Sequence, residues 1–296
     1  MMTLKKYLLV LLITLVPLFT VYGQENQGKT FLWEIQSDYG KSYLLGSVHL
    51  LKEDNYPLKQ VIEDSFDKSD VLVLEIDLSG DNLLKASMTM LQKGMYQDDQ
   101  TLQDNISEKT YQTLKEKLTA MNMDIDGFKK NKPWFVAMMV LQSKLAKIGF
   151  NPAYGVDMHF LGKAKDKKEI KGLETIEFQV GLFEGFSKEE AEKFLLSSIL
   201  EADQIEKEMN KMVDAWVNGN TEEMEKATTE NIDKYPELAA FYKKLNDDRN
   251  VRMVENIISF LKTGKSHFIV VGALHLVGKK GIVQLLKDQG YTVNQL

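Results

Sequence analysis

Two segments near opposite ends of the chain share one pattern of apolar and small residues. One is a continuous apolar run, Phe268–Val271, that is followed by Gly272 and, three positions later, by His275. The other ends in the same way, with Gly46 and then His49. A continuous apolar run is typical of a strand that is buried on both faces. Each copy therefore predicts a buried strand that ends at a glycine and is followed by a histidine.

The rest of the amino-terminal pattern predicts a hairpin and then a strand–helix–strand unit. Apolar and polar residues alternate over 30–35, and a second strand pattern follows over 41–45; together they predict the hairpin. Helical spacing over 57–69 and a buried run over 71–77 complete the unit. Because such a unit joins parallel strands by a right-handed crossover, we expect the 71–77 strand to lie beside the 41–45 strand.

Most of the chain between its two ends has helical spacing. The helical pattern covers about 81–262, with one short predicted strand at 170–173, and a helix over 279–289 and a strand over 291–293 follow the second histidine motif. The prediction is an α/β fold: a mixed sheet built from two similar halves, each a βαβ-like unit at one end of the chain, with a large helical insertion. Fourteen methionines, many at helical spacing, favour soft core filling over a ligand site.

The first residues have the pattern of a secretory signal peptide. A lysine pair precedes an apolar run over 7–21. We predict a signal peptide over 1–23 and a single domain over 24–296. The alternative is an uncleaved anchor, but the short apolar core and Pro17 argue against it. The protein is therefore expected to be exported, periplasmic or extracellular, without a stable membrane anchor after cleavage.

Composition excludes several function classes. The chain has no cysteine, which excludes disulfides, thiolate catalysis and a lipid-attachment cysteine. Its formal net charge is −6, and an acidic chain is a poor nucleic-acid binder because phosphates require a basic face. The chain also lacks His-Glu-x-x-His, Gly-x-Ser-x-Gly and glycine-rich phosphate loops. The oligomeric state stays open.

The paired Gly-x-x-His segments are the strongest candidate site. Ligands in open α/β sheets bind beyond the carboxyl ends of strands, and glycines such as Gly46 and Gly272 permit close approach to the backbone there. If the two motif strands are neighbours, His49 and His275 face one crevice with the imidazole ligands that divalent metals favour. Two buried structural histidines are the alternative, weakened by the duplication in a chain with only four histidines.

Carboxylates follow the other predicted strands. Glu75 ends the buried run 71–74 and is expected near both histidines, as a metal ligand or as a base toward a bound water. A surface position is the alternative for Glu75. Glu174 ends the short strand, and Asp157 follows a glycine at a helix start, where it either supports the site or simply caps the helix. Asp77 is expected to cap the following loop.

Arginine is rare in this lysine-rich chain. Of 37 basic residues, only Arg249 and Arg252 are arginines, and they lie one turn apart on a predicted helix. Because its planar fork suits carboxylates, Arg249 is expected to steady a carboxylate ligand or a substrate terminus, with a purely structural ion pair as the alternative. His159 ranks below the motif histidines. His267 is expected to be the exposed start of its strand.

Together these motifs resemble the TraB/GumN family. The similar segments, in their order along the chain, are Leu44–Leu50, Leu74–Asp77, Gly155–Asp157, Lys171–Thr175, Arg249–Asn250 and Val271–Leu276. Each motif is weak alone, but the ordered set is specific and spans essentially the whole mature chain. That family is related to the Tiki proteins, which are membrane-tethered metal-dependent peptidases acting on the amino-terminal part of Wnt ligands.

The resemblance implies an α/β core with an active site in the paired motifs. Carried over by position, the site residues are His49, His275 and Glu75, with Asp157, Glu174 and Arg249 in support. It also implies divalent-metal peptide hydrolysis, with manganese or cobalt as the usual suggestion and zinc not distinguished by the residues. The chain lacks the carboxy-terminal anchor and the cysteines of the animal proteins, so a Wnt-like substrate is not expected.

Three hypotheses follow. The leading one is an exported metal-dependent hydrolase, a peptidase acting on short or unfolded peptide ends, with a small-molecule substrate also open. The second is an envelope protein that binds haem, a metal or a peptide without turnover, since methionine-rich helices suit an apolar pocket. Distant members of the superfamily include haem-binding lipoproteins and erythromycin-esterase-like hydrolases, so the fold does not decide the reaction. The third, a structural interaction protein, is weakened by the retention of the three site residues.

Overall fold

A six-stranded mixed sheet forms the centre of the protein. The computed structural model describes residues 28–201, 204–234, 236 and 239–296, so the predicted signal peptide lies outside the described residues. The strands are β1 Leu32–Ser37, β2 Gly40–Ser47, β3 Val71–Ile76, β4 Glu169–Glu174, β5 His267–Gly272 and β6 Thr292–Gln295. Their order across the sheet is β4-β3-β5-β2-β1-β6. The predicted α/β class and mixed sheet are confirmed, whereas the likeness of two halves and the single domain stay predictions.

Helices surround the sheet and fill the middle of the chain. They are α1 Gln60–Asp67, α2 Asn82–Lys93, α3 Glu108–Ala120, α4 Pro133–Lys147, α5 Val156–Ala164, α6 Ile176–Glu184, α7 Lys188–Glu201, α8 Ile205–Val217, α9 Thr221–Lys234, α10 Ala239–Leu245, α11 Asp247–Leu261 and α12 Ile282–Asp288. The predicted strand inside the insertion is present as β4, parallel to β3. No helix among the described residues is both long enough and apolar enough to cross a membrane.

The central position in the sheet belongs to β5. It pairs in parallel with β2 on one side and with β3 on the other, so the two Gly-x-x-His strands are neighbours. The prediction that β3 lies beside β2 is therefore wrong. The crossover through α1 makes these strands parallel but leaves a gap of one strand between them. The apolar run of β5 fits that gap because a strand that is buried on both faces is stable when both of its edges are paired.

The core has two parts. The larger one packs helices on the sheet and includes Phe31, Leu72, Phe160 and Phe268, all fully buried. A smaller cluster lies among the helices of the insertion, where α4 packs on α7. Because the side chains of this smaller cluster contact each other rather than the sheet, the insertion supports its own apolar interior.

His267 is buried, and the prediction of an exposed strand start is wrong. Its exposed fraction is 1%, and its ring stacks on Phe260 with centroids 5.8 Å apart. Burial lowers the pKa of His267, and its Nδ1 has no hydrogen-bond partner. The first residue of β5 is covered because the strand is central and α11 lies over its beginning.

Candidate functional site

The site forms where β2 and β5 end side by side. Gly46 is paired with Val271, and the chain continues from both strands to His49 and His275 at the same sheet edge. Glu75 reaches this edge from β3, on the other side of β5. Its Oε1 lies 3.8 Å from His275 Nε2 and 4.0 Å from His49 Nε2. Two of the predicted site residues, both histidines, therefore converge on a carboxylate oxygen of the third.

The two motif glycines serve different contacts. A side chain at Gly272 would place its Cβ 3.2 Å from Glu75 Oε1 and 3.4 Å from His49 Nε2, so the absence of a side chain lets these groups converge. The Gly272 N–H donates to Glu75 Oε1 at 2.6 Å. At Gly46 a Cβ would meet the Phe31 ring at 2.6 Å, so this glycine admits core packing.

The imidazole of His275 is held in one tautomer. Its Nδ1 lies 2.6 Å from Asn250 Oδ1, and the amide of Asn250 is oriented because its Nδ2 donates to the Lys280 carbonyl at 2.8 Å. An amide oxygen can only accept, so Nδ1 carries the proton and Nε2 keeps its lone pair. Burial lowers the pKa of His275 to about 4, which keeps the ring neutral.

His49 has a different environment. Its Nδ1 lies 3.0 Å from Asp157 Oδ1, which also accepts from Ser47 Oγ at 2.9 Å. The side chain is 53% exposed because it faces an open cavity. Although desolvation lowers the pKa of His49, the hydrogen bond to Asp157 and the charges of Asp157 and Glu75 raise it to about 9. Without a ligand, His49 is protonated at neutral pH.

An ion-pair network holds Glu75 through Oε2, the oxygen that does not face the histidines. Arg249 Nη2 donates to Glu75 Oε2 at 2.5 Å and to Glu174 Oε2 at 2.7 Å, while Arg249 Nε donates to Glu174 Oε2 at 3.0 Å. Gln179 Nε2 donates to Glu174 at 3.0 Å and to Glu75 at 3.2 Å. Burial alone would raise the pKa of Glu75, but the positive charges of His49 and Arg249 and the hydrogen bond from the Gly272 N–H lower it to about 2. Glu75 is therefore ionised.

Arg249 acts on protein groups. Its Nη1 donates to the Leu245 carbonyl at 3.1 Å, so every guanidinium nitrogen already has a protein acceptor. The expectation that Arg249 steadies a carboxylate fits this geometry better than docking of a substrate terminus. Arg252 lies outside the network and stacks over Phe178, 4.0 Å from its ring centroid.

Other candidate residues lie away from this cluster. His159 Nε2 lies 2.8 Å from Glu63, on the far side of α5 from Asp157. Asp77 accepts from the Ser79 N–H at 2.8 Å and caps its loop. Sequence reasoning assigned no role to Asn250 or Gln179. The position of Asn250 beside Arg249 on an otherwise apolar helix face was a usable signal for it, whereas nothing in the sequence singles out Gln179.

Two cavities meet at the site. The methionine cavity has a volume of about 690 Å³. Its apolar lining away from the histidines includes Met90, Met138, Met209, Met212, Val180 and Phe183. The leucine cavity has a volume of about 830 Å³. Its apolar lining away from His49 includes Leu78, Leu83, Leu141, Leu145, Leu161 and Met158. Both cavities include His49 and Glu75 in their walls. The candidate chemical groups therefore lie where two apolar spaces join.

Comparison with known proteins places the chain in a family. The sequence profile described as the TraB/PrgY/gumN family matches residues 31–295. The chain belongs to this family. It is 23% identical to the uncharacterised protein YbaP of Shigella flexneri over 247 residues, which cover 83% of this chain and 88% of that protein.

Two further relatives match the chain, and the name of one of them states an activity. YbaP of Escherichia coli K12 is 22% identical over 246 residues, covering 83% of this chain and 87% of that protein. The metalloprotease TIKI1 of Xenopus tropicalis is 21% identical over 326 residues, covering 91% of this chain and 62% of that protein. No solved structure matches the chain. This TraB/PrgY/gumN protein is thus distantly similar to a hydrolase.

The donor set of this TraB/PrgY/gumN protein has the chemistry of a divalent-cation site but not its spacing. Within the described ranges, no group of three or more His, Cys, Asp or Glu side chains is already spaced to hold an ion. Two donors on one zinc ion are about 3.4 Å apart, so the 3.8 and 4.0 Å separations exceed that spacing by about half an ångström. Acceptors at Nδ1 leave Nε2 of each ring to face an ion, as in metal-binding imidazoles, although His49 must first lose its Nε2 proton.

Proposed function

We propose that this protein is an exported metal-dependent hydrolase that cleaves peptide bonds. The observation that carries the proposal is the convergence of His49 and His275 on Glu75 Oε1, each ring oriented by an acceptor at Nδ1. Similarity to a metalloprotease supports the hydrolase class. Export rests on the signal-peptide pattern of residues 1–23.

In this proposal His49, His275 and Glu75 hold the cation. A bound divalent metal lowers the pKa of a water molecule to about 7 and polarises a carbonyl. Arg249 keeps Glu75 ionised, and Asp157 and Asn250 hold the two rings in place. Glu75 is ionised and accepts hydrogen bonds from Arg249 and from the Gly272 N–H, which suits a carboxylate that ligates the cation.

Metal analysis of the processed protein and its variants tests the proposal. We expect one tightly bound divalent ion in the parent protein, and loss of both the ion and peptide cleavage in His49→Ala and His275→Ala. His159→Ala is the matched control, because His159 is partly buried and paired with Glu63 outside the site. Cleavage at the parental rate in both motif variants would refute the site.

Haem binding without turnover is the second candidate function. The observation in its favour is the apolar methionine cavity beside His49, whose ring is 53% exposed. A haem titration distinguishes the two functions. An intense visible band that disappears in His49→Ala would favour a binding protein over a hydrolase.

A further inference from the structure

The charged side chains that line the leucine cavity all lie at the candidate site, where this cavity meets the methionine cavity. Among the described residues that line it, the charged side chains are Glu75 and Asp157, with His49 beside them. Asp157 is already bonded to His49 and Ser47. Away from the candidate site, the wall of the cavity consists of leucines, methionines and small or neutral residues. Because the other polar lining residues, Gln142, Asn151 and Gln179, are neutral amides, a charged group would lose its hydration in this space without gaining a charged partner.

The methionine cavity has a similar wall with charges at its edge. Of its charged lining residues, Arg249 is occupied by Glu75 and Glu174, Lys243 pairs with Asp248 at the surface, and Asp247 lies in the first turn of α11. Met90, Met209 and Met212 are only partly buried, so their side chains face the open space. Methionine side chains are flexible and polarisable, and such a wall accepts apolar groups of several shapes.

We propose that the two cavities recognise the side chains on the two sides of the scissile peptide bond, so that the preferred substrates carry a large apolar residue at each of these positions. This inference rests on the peptidase function proposed above. One set of candidate reacting groups stands where two apolar spaces join, so a peptide that crosses the site can place one side chain in each cavity. Burying a leucine or phenylalanine side chain in place of serine favours cleavage about tenfold or more at each position.

Helix α2 provides two matched pairs of variants. Leu83 lines the leucine cavity and is 44% exposed, while its neighbour Leu84 is 63% exposed and lines neither cavity. Met90 lines the methionine cavity, while Met88 is 62% exposed and lines neither. Within each pair, a change to glutamate adds the same charge to the same helix.

The assay uses internally quenched peptides of equal length that carry leucine, phenylalanine, serine or glutamate on either side of the cleaved bond. We expect kcat/KM to be about tenfold or more higher for the leucine and phenylalanine peptides than for the serine peptides. Leu83→Glu should remove this preference at one position and Met90→Glu at the other, with metal content unchanged. Leu84→Glu and Met88→Glu should match the parent protein, and unchanged melting temperatures establish that all four variants fold.

The outcomes separate this inference from the function on which it rests. Cleavage without an apolar preference, or equal behaviour of Leu83→Glu and Leu84→Glu, overturns the inference and leaves the peptidase intact. If no peptide is cleaved, fluorescence anisotropy of a labelled leucine-rich peptide decides between two results. Binding that weakens only in Leu83→Glu and Met90→Glu retains apolar recognition although the hydrolase proposal fails. Absent binding, or equal binding in all four variants, overturns both.

Discussion

Replacement of Asn250 by alanine tests whether this side chain sets the tautomer of His275. Asn250 is fully buried, accepts from His275 Nδ1–H at 2.6 Å and donates to the Lys280 carbonyl at 2.8 Å. The variant leaves the Nδ1–H donor of buried His275 without a partner, while the carbonyl of the exposed residue Lys280 can accept from water. One unsatisfied buried group costs about 1–3 kcal/mol, so we expect the free energy of unfolding to fall by that amount.

The same change should weaken metal binding more than stability loss explains. Without its acceptor, the imidazole of His275 is free to rotate or to carry its proton on Nε2, which removes the lone pair that faces Glu75. Loss of such a supporting hydrogen bond typically costs about 10- to 100-fold in metal affinity. Competition with a chromophoric chelator measures the affinity, and urea denaturation of the metal-free protein measures the stability.

Two further variants make the result decisive. Val254→Ala, on the same helix, removes buried apolar contacts without touching His275 and should lower stability with no change in affinity. Asn250→Asp keeps an acceptor for Nδ1–H, so it should bind metal better than Asn250→Ala and raise the pKa of His275 above about 4. If Asn250→Ala loses stability but binds metal as tightly as the parent protein, the tautomer argument is refuted.

Two other predictions concern charge. Because the pKa of free His49 is raised to about 9, metal binding at pH 7 should release about one proton. The apparent metal affinity should therefore rise with pH until about 9. Calorimetry in buffers of different ionisation enthalpy measures the proton release. The same raised pKa stabilises the metal-free fold below the unfolded value of about 6.5, and this contribution is lost as the pH rises through about 9. Arg249→Gln should lower the free energy of unfolding by about 3–5 kcal/mol because it removes the cation that Glu75 and Glu174 share and leaves buried Glu174 without a charged partner. Arg252→Gln should change it by about 1 kcal/mol or less. Equal losses in the two arginine variants, measured by urea denaturation, would contradict the network.

The elements that carry the site could be read from local pattern. The run Phe268–Val271 indicated a buried strand because four successive apolar residues leave neither face of a strand polar. Gly46, next to the last residue of β2, and Gly272, the last residue of β5, marked positions where the chain turns toward a possible ligand site. The single arginine beside the site was identified because only its planar fork matches a buried carboxylate so well. These inferences depend on residue type and spacing, which are properties of short segments.

Contacts between distant segments were decided by tertiary packing. No local pattern states that β5 enters the sheet between β2 and β3, because both available edges are parallel and apolar, and the choice depends on how the whole core closes. The burial of His267 and the parts taken by Asn250 and Gln179 arise in the same way, from helices that return to the sheet after long insertions. Spacing along the chain identified the chemical groups, and only the packed fold determined which of them meet and which atoms face each other.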